Sequence, residues 1–285
     1  MRDEHYVKSH GLGNDYLVID PALLPEGIAL APATARLLCD RHRGVGGDGV
    51  LEPRPARDGA DFGLRIWNPD GGEAEKSGNG LRIFAKYLYE HGHTAATRFA
   101  VATPGGVAGC ELRLDGAMGR VAAVTVEMGA AVFAPLDRLV VGGAELAVTA
   151  LSVGNPHCVV VVPDLGAVDL ARLGPAIERH PAFPARTNVQ FAQPVGADRV
   201  RALIWERGAG ETLASGSSSC AVAAACHRLG LTGRAVTVEM PGGELRVRID
   251  DREHLWLTGP VEEVCRGAFS PDLLARLHAA GGDAE

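Results

Sequence analysis

Two serines occupy equivalent places in two similar segments, one in each half of the chain. The segments read Glu73-Ala-Glu-Lys-Ser77-Gly-Asn-Gly and Glu211-Thr-Leu-Ala-Ser215-Gly-Ser-Ser, and both run into apolar, helix-like stretches. A helix N-terminus carries free backbone N–H groups and partial positive charge, so it favours an anion such as a carboxylate. If the two segments face each other across a cleft, their serines flank one bound carboxylate.

The similarity of the two halves continues downstream of the serines. The tripeptide Pro-Gly-Gly recurs at Pro104 and Pro241, in each case about 26 or 27 residues after the serine. Repetition at a fixed spacing is the sequence signature of a duplicated structural unit. The chain is therefore expected to contain two related domains, 1–130 and 131–263, with the tail 264–285 returning to the first domain.

Several further polar residues could bind a small zwitterion. Arg207 can clamp a carboxylate with two parallel hydrogen bonds, and the adjacent Glu206 can accept from an ammonium group. Asparagine amides can orient both groups, and they occur in turn-like or strand-edge positions at Asn14, Asn68, Asn155 (with His157 beside it) and Asn188. Each residue alone is more typical of a turn, a core histidine or a solvated ion pair. Together they favour a pocket for an amino acid with more than one carboxylate.

Composition and charge argue against several other classes of protein. With 46% hydrophobic and 22% charged residues, the 285-residue chain is typical of a folded globular protein. A net charge of −7 without a basic stripe argues against a nucleic-acid partner. The six cysteines form no Cys-x-x-Cys pair, so neither a metal site nor a disulfide framework is expected. Without a signal-peptide core or a long apolar run, we expect no membrane association and a cytoplasmic location.

Neither serine turn fits a phosphate-binding or hydrolase motif. Both turns lack the Lys-Ser/Thr ending of a P-loop and the three-glycine dinucleotide fingerprint. Neither Ser77 nor Ser215 stands in a Gly-x-Ser-x-Gly sequence, which argues against a hydrolase nucleophile. The stretch beginning at Gly44 is only superficially similar to a glycine-rich loop.

Hydrophobic periodicity predicts a strand-rich chain with few helices. Apolar residues recur at helical spacing from Leu81 to Leu88, before Gly92 ends the pattern. The segment Ser219–Leu229 is apolar nearly all round, which predicts a helix buried on all sides, and Pro32–Arg41 is a third predicted helix. Runs rich in β-forming residues predict ten strands: Tyr16–Asp20, Phe62–Trp67, Arg98–Thr103, Ala122–Met128, Leu139–Val141, Cys158–Val162, Val200–Trp205, Ala235–Met240, Glu244–Ile249 and His254–Thr258.

The polar motifs give the sequence a specific resemblance to the diaminopimelate epimerase family over essentially the whole chain. The motifs are His10-Gly-Leu-Gly-Asn-Asp-Tyr, Arg41-His-Arg-Gly-Val-Gly-Gly-Asp, Asn68-Pro-Asp-Gly-Gly-Glu, Gly78-Asn-Gly, Gly154-Asn-Pro-His-Cys, Glu206-Arg-Gly-Ala-Gly-Glu-Thr and Pro241-Gly-Gly. The resemblance implies an α+β fold of two pseudo-symmetric domains, each a β-barrel-like sheet wrapped around a central helix, with the active site between them. It also implies a homodimeric, cofactor-independent enzyme of lysine and peptidoglycan precursor synthesis.

The resemblance also implies a role for each site residue. Enzymes of this family interconvert LL- and meso-diaminopimelate with two cysteines, one removing the Cα proton and the other returning it from the opposite face. Ser77 and Ser215 stand at those positions and are the expected catalytic pair, with no metal. The expected substrate-binding residues are Gly78, Asn79, Gly216 and Ser217 for the α-carboxylate, Glu206 for the α-ammonium, and Asn14, Asn68, Asn155, His157, Asn188 and Arg207.

Serine in place of cysteine is the main departure from the family pattern. A thiol has a pKa of about 8.5, which a helix N-terminus lowers further, whereas an alcohol is a far weaker acid. Three interpretations remain open: a Cys-to-Ser variant that traps substrate, a natural branch that epimerises diaminopimelate or racemises another amino acid with hydroxyls, and an amino-acid-binding protein without turnover. A second departure is Gly49, where family members often carry Gln, so substrate specificity could differ.

Overall fold

A computed structural model describes residues 4–116 and 118–281. The chain divides into two compact units, of which the first runs to Val124 and resumes at Pro260, while the second is Thr125–Gly259. The sequence-based expectation places the division at residue 130 and the return at residue 264. No helix among the described residues is long and apolar enough to span a membrane.

The described residues form a strand-rich α+β fold. Its α-helices are α1 (Pro32–Cys39), α2 (Gly78–Glu90), α3 (Leu170–Glu178), α4 (Gly216–Arg228) and α5 (Pro271–Gly281). Its strands are β1 (Tyr6–Gly11), β2 (Asn14–Val18), β3 (Val50–Arg54), β4 (Phe62–Trp67), β5 (Glu73–Ala74), β6 (Arg98–Thr103), β7 (Gly106–Leu114), β8 (Val121–Ala130), β9 (Val132–Phe133), β10 (Arg138–Val141), β11 (Ala144–Ala147), β12 (Thr149–Ser152), β13 (Pro156–Val161), β14 (Asn188–Gly196), β15 (Arg199–Glu206), β16 (Gly210–Thr212), β17 (Ala235–Met240), β18 (Gly243–Ile249), β19 (His254–Gly259) and β20 (Glu262–Gly267).

In the first unit, a mixed sheet packs against helix α2. Strand β1 pairs antiparallel with β2 and β20. From β2 onward the pairs are β2 with β3 (parallel), β3 with β4 (antiparallel), β4 with β6 (parallel) and β6 with β7 (antiparallel). Helix α2 packs against β1, β2 and β7, and its residues from Gly78 to Leu88 are buried. It is therefore the central helix of this unit.

The second unit repeats this arrangement around helix α4. Its pairs are β13 with β14 (parallel), β14 with β15 (antiparallel), β15 with β17 (parallel) and β17 with β18 (antiparallel). Helix α4 packs against seven strands, β12 to β15 and β17 to β19, and it is buried from Ser218 to Cys226. The alternation of parallel and antiparallel pairs is the same in both units, which confirms the predicted duplicated α+β architecture.

Both central helices begin and end with the residue types that such boundaries require. Ser77 and Ser215 are the N-cap residues of α2 and α4, and serine is among the strongest N-cap formers. After the helices, Gly92 (φ 79°) and Gly230 (φ 71°) adopt the left-handed conformation that glycine reaches without steric cost. Both helices were expected from the sequence, although α4 starts three residues before the predicted Ser219 because the cap lies at Ser215.

Candidate functional site

Ser77 lies where the chain leaves β5 and enters α2. Its Oγ accepts a hydrogen bond from the backbone N–H of Gly80 at 3.0 Å, which caps the helix. The phenolic oxygen of Tyr16, on β2, lies 3.2 Å from the same Oγ, and either atom can donate. Ser77 is half-buried, and only 8% of Tyr16 is exposed. The hydroxyl of Ser77 is thus held at a positive helix terminus beside a buried phenol.

Two of the predicted substrate-binding amides meet beside this helix terminus. Asn79 Nδ2 donates to Asn14 Oδ1 at 3.0 Å, and Asn14 Nδ2 donates to Asp48 Oδ2 at 2.9 Å. Because the carboxylate of Asp48 can only accept hydrogen bonds, the Asn14 amide must turn its nitrogen towards Asp48 and its oxygen towards Asn79. Asp48 therefore sets the orientation of Asn14.

Charged residues extend this network on both sides. Arg41 Nη2 lies 2.7 Å from both Asp48 Oδ1 and Asp15 Oδ1, and Lys8 Nζ lies 3.0 Å from Asp15 Oδ2. Burial opposes ionisation of Asp15, but hydrogen bonds from Arg41 and Lys8 outweigh it and lower the pKa of its carboxyl. On the other side, the fully buried Arg82 donates to Asn79 Oδ1. The amides are thus anchored by an ionised network within one unit.

The structure places Asn68 in a turn between β4 and β5. Its backbone N–H donates to Gly72 O at 2.7 Å, and its carbonyl accepts from Gly71 N at 2.9 Å. Among the described residues, its side chain makes no hydrogen bond to Ser77, Asn14 or Asn79. Asn68 is therefore a turn residue here, separate from the network that joins the other two amides.

Ser215 lies at the equivalent entrance to α4 in the second unit. Its Oγ accepts from the backbone N–H of Ser218 at 3.4 Å, a longer contact than the cap bond of Ser77. Only 4% of Ser215 is exposed. Gly216 and Ser217 occupy the first two helical positions, as Gly78 and Asn79 do in α2, and N–H groups at such positions have no partner within the helix. Each helix can therefore offer a pair of donors to an anion at its own N-terminus.

His157 is buried in a chain of hydrogen bonds in the second unit. Its Nε2 donates to Asn155 Oδ1 at 2.8 Å, and its Nδ1 accepts from Gln190 Nε2 at 3.0 Å. The same Gln190 nitrogen lies 2.9 Å from Ser218 Oγ in the first turn of α4. Burial, aided by the charge of Arg207, lowers the pKa of His157 to about 3. His157 is therefore a neutral group that orients Asn155.

Asn188 joins the ends of three strands near the predicted carboxylate-binding residue. Its Oδ1 accepts from the backbone N–H of Arg207 at 2.9 Å, and its Nδ2 donates to Pro156 O at 2.9 Å. The Arg207 guanidinium is exposed and uses Nη1 to donate to Ala185 O at 3.1 Å. Glu206 is the half-buried last residue of β15. Asn188 thus holds in place the backbone from which the side chains of Glu206 and Arg207 extend.

Sequence reasoning missed the residues that hold these side chains in place. Asp48, Arg82 and Gln190 orient Asn14, Asn79 and His157 through the contacts described above. Arg82 had a recognisable signal, because a charged residue inside a buried apolar helix usually has a specific partner. Asp48 ends the motif that begins at Arg41, but its contact with Asn14 had no signal. Neither had the contact of Gln190 with His157, since the partners lie more than thirty residues apart in the sequence. Within residues 4–116 and 118–281, no cluster of three His, Cys, Asp or Glu side chains could hold a metal ion.

Comparison with known sequences finds close relatives over nearly the whole chain. Residues 6–134 and 149–264 match the family described as diaminopimelate epimerase. The diaminopimelate epimerase of Pelotomaculum thermopropionicum is 44% identical over 283 residues, which cover 93% of this chain and 98% of that protein. The enzyme of the same name from Heliobacterium modesticaldum is 43% identical over 283 residues, with coverages of 92% and 98%.

Solved structures share the fold at much lower sequence identity. A hydroxyproline epimerase from Agrobacterium vitis superposes with a TM-score of 0.72 at 19% identity, covering 95% of this chain and 93% of that one. A probable proline racemase from Agrobacterium radiobacter gives a TM-score of 0.73 at 17% identity, with coverages of 98% and 99%. At these identities the similarity concerns the fold alone.

Proposed function

Because this chain belongs to the diaminopimelate epimerase family, we propose that it interconverts LL- and meso-diaminopimelate by moving the Cα proton without a cofactor. The observation that carries this proposal is that the same helix N-terminus occurs in both units. In each unit a capping serine, Ser77 or Ser215, lies at the N-terminus of the buried central helix. This is where the family reaction needs a proton carrier and an anion site together.

The first part of the proposal concerns the α-carboxylate of the substrate. Backbone N–H groups of Gly78 and Asn79 from one helix, and of Gly216 and Ser217 from the other, would donate to its oxygens. Two helix termini are worth about 0.3–2 kcal/mol each for a nearby anion. Donors that are already fixed also stabilise the negative charge that develops on the substrate when Cα loses its proton.

The second part concerns the ammonium groups and the distal end of the substrate. Glu206 would accept from the α-ammonium, and Arg207 would bind the distal carboxylate with its remaining N–H groups. Asn14, Asn155 and Asn188 would supply amide contacts, with His157 orienting Asn155. Asn68 would contact the substrate from its turn. The hydrogen bonds to Asp48, His157 and Pro156 support these assignments, because they hold the three amides in fixed orientations before substrate binds.

The third part concerns the proton transfers. Ser77 and Ser215 would act on opposite faces of Cα, one accepting the proton while the other delivers one. General acids and bases work best when their pKa is near the working pH, and an aliphatic hydroxyl is far from that condition. We therefore propose slow catalysis. The specific alternative is an amino-acid-binding protein without turnover, which the hydroxyls at both positions would favour.

We further propose that the protein works in the cytoplasm as a homodimer, with functional domains 1–130 plus 264–285 and 131–263. Cys39, Cys110, Cys158 and Cys226 are buried free thiols, which agrees with a reducing compartment. The dimer follows from the family resemblance alone. Light scattering on the purified protein tests it directly, since a monomeric mass would contradict it.

The proposed activity is tested by NMR of LL- and meso-diaminopimelate incubated with the protein in D2O. We expect slow loss of the Cα proton signal and conversion of each isomer into the other. Saturable binding measured by calorimetry, without proton loss, would identify a binding protein and contradict the enzyme proposal. Exchange with ornithine, lysine or histidine, but not with diaminopimelate, would instead identify a racemase of another amino acid.

A further inference from the structure

Tyr16 contacts Ser77 and could exchange a proton with it. An isolated serine would have no such proton-transfer partner. The two oxygens are 3.2 Å apart, within reach of direct proton transfer. Ser77 Oγ already accepts from Gly80 N–H at the positive end of α2, so negative charge on this oxygen is partly stabilised. What an isolated serine still needs is a base to take its hydroxyl proton, and Tyr16 is in contact with it.

A phenol suits this role better than a second alcohol. Tyrosine ordinarily titrates at a pKa of about 10, so it is much closer to the working range of an enzyme than an aliphatic hydroxyl. Tyrosine is also among the side chains that serve as general acids and bases in enzymes. A phenol beside Ser77 can therefore supply the titratable group that a cysteine would otherwise contain in its own thiol.

The ring of Tyr16 fits against the backbone of Gly49, where no side chain is present. A Cβ built on Gly49 would lie 2.7 Å from Tyr16 Cε1 and 2.5 Å from Trp67 O. Distances under 3.0 Å are not tolerated, so any side chain at position 49 would displace the ring or the backbone. Gly49 is thus the residue that lets the Tyr16 ring reach Ser77.

The equivalent position in the second unit has different chemistry. Cys158 pairs with Val189 in β13 and β14 as Leu17 pairs with Val50 in β2 and β3. Together with the Gly-Asn pair that precedes both positions, at 13–14 and 154–155, this register makes His157 the counterpart of Tyr16, and Asn188 the counterpart of Gly49. His157 is bonded to Asn155 and Gln190 rather than to the capping serine of its unit. The tyrosine–serine pair is therefore a specific feature of the first unit.

We propose that Tyr16 is the proton partner of Ser77, so that the two residues together act as one acid–base group on one face of the substrate. This inference rests on the epimerase function proposed above. In one direction the Cα–H bond breaks, Ser77 Oγ takes that proton, and the former hydroxyl proton of Ser77 passes to the Tyr16 phenolate. The electron pair stays on the substrate as a carbanion. In the other direction the carbanion takes the Ser77 proton, and the Tyr16 phenol replaces it and becomes a phenolate.

The test compares four proteins: the parent, Tyr16→Phe, Ser77→Cys and the Tyr16→Phe/Ser77→Cys double variant. Cα proton exchange of LL- and meso-diaminopimelate in D2O is followed by NMR for each one. We expect Tyr16→Phe to slow exchange by about 100-fold when residue 77 is serine, in line with the usual contribution of a general acid–base group. When residue 77 is cysteine, the same change should alter the rate by less than about 3-fold, because a thiol ionises without help.

Two controls separate this role from a structural one. Tyr16→Phe keeps the ring that fills the space beside Gly49 and loses only the hydroxyl. Its melting temperature should therefore fall by no more than about 5 °C, and its calorimetric affinity for diaminopimelate should match that of the parent. If Tyr16→Phe slows exchange equally in the serine and cysteine backgrounds, or in neither, the Tyr16 inference is wrong while the proposed function stands. If the parent binds diaminopimelate but exchanges no proton, the proposed function is wrong and the inference falls with it.

Discussion

The capping serines combine a structural role with the proposed chemical one. Ser77 and Ser215 satisfy N–H groups at the starts of α2 and α4, and replacing such a cap costs about 0.5–2 kcal/mol of stability. A thiol accepts hydrogen bonds weakly, so cysteine at these positions would cap less well. Serine thus stabilises both buried helices, but its hydroxyl is a weaker acid than the thiol that would suit the proposed proton transfer.

Because serine improves helix capping but is less acidic than cysteine, the double variant Ser77→Cys/Ser215→Cys should change stability and activity in opposite directions. We expect diaminopimelate epimerisation, followed by NMR in D2O, to rise by at least about 100-fold, because each face gains a group that ionises near neutral pH. Stability in urea should fall by about 1–3 kcal/mol as two caps weaken. The matched control is Ser270→Cys, which weakens the cap bond to Leu273 N–H of α5 and should lower stability without raising activity. An unchanged rate in the double variant would show that the hydroxyls do not limit turnover.

At the scale of elements, helix α3 supports the end of β15, where Glu206 lies, and the turn after it that carries Arg207. Trp205 of β15 donates from Nε1 to Glu178 Oε2 at 2.9 Å, and Glu178 Oε1 accepts from the backbone N–H of Gly208 at 3.1 Å. Gly174 lets α3 approach this tryptophan, because a Cβ there would lie 2.6 Å from the ring atoms Cγ and Cδ2. The close approach of one helix to one ring therefore positions this turn.

We predict that Gly174→Ala lowers the free energy of unfolding by about 1–3 kcal/mol, the usual cost of overpacking. The preference of alanine over glycine in helices, about 1 kcal/mol, is in the opposite direction and is smaller than the upper part of this range. Displacing Trp205 should also weaken diaminopimelate binding, measured by calorimetry. Gly233→Ala is the control, since its Cβ would meet Ala197 O at an ordinary 3.7 Å. Equal effects of the two substitutions would contradict the packing argument.

Elements with strong local patterns could be predicted from the sequence, and those interrupted by proline could not. The helical spacing of apolar residues from Leu81 to Leu88 identified α2. The nearly all-apolar run after Ser219 identified α4, because a helix buried all round usually has few polar residues. Strand β3 contains Pro53 and helix α3 contains Pro175, residues that usually argue against a strand or helix interior. Both elements form because tertiary contacts outweigh these local preferences.

The candidate site divides in the same way between local and long-range information. Short motifs identified Ser77, Asn14 and Asn188, since each stands in a recognisable turn or strand end. The pairing of Asn14 with Asp48 and of Tyr16 with Ser77 depends on strand register and on helix packing, which link residues 34 and 61 positions apart. Such contacts follow from the assembled sheet and have no signature in a single sequence.

At the scale of the whole molecule, His157 makes stability depend on pH. Its pKa is lowered to about 3 in the folded protein, first because of burial, whereas an unfolded histidine titrates near 6.5. Between these values the unfolded chain binds one more proton than the folded one. Stability from the neutral His157 is therefore fully present above about pH 6.5 and is lost as the pH falls.

Three carboxylates that are buried or half-buried add to the loss of stability only at lower pH. Burial opposes ionisation of Asp15, Glu90 and Glu178, but cationic neighbours and hydrogen bonds outweigh it and lower their pKa values. Stability from these groups is present above the ordinary carboxyl range near pH 4 and is lost below it. Between pH 6.5 and about 4.5, His157 therefore contributes to the loss of stability, whereas these three carboxylates do not yet do so.

In that interval we predict that the free energy of unfolding contains a His157 contribution that falls by up to about 1.4 kcal/mol per pH unit. Urea unfolding of the parent and of His157→Gln at several pH values measures it, since glutamine cannot take up the proton. The variant should be less stable at pH 7 but should have the shallower pH dependence. His42→Gln, at an exposed position, should keep the slope of the parent. If the free energy of unfolding had the same pH dependence in the parent and in His157→Gln, protonation of His157 would not be what destabilises the folded protein in this interval.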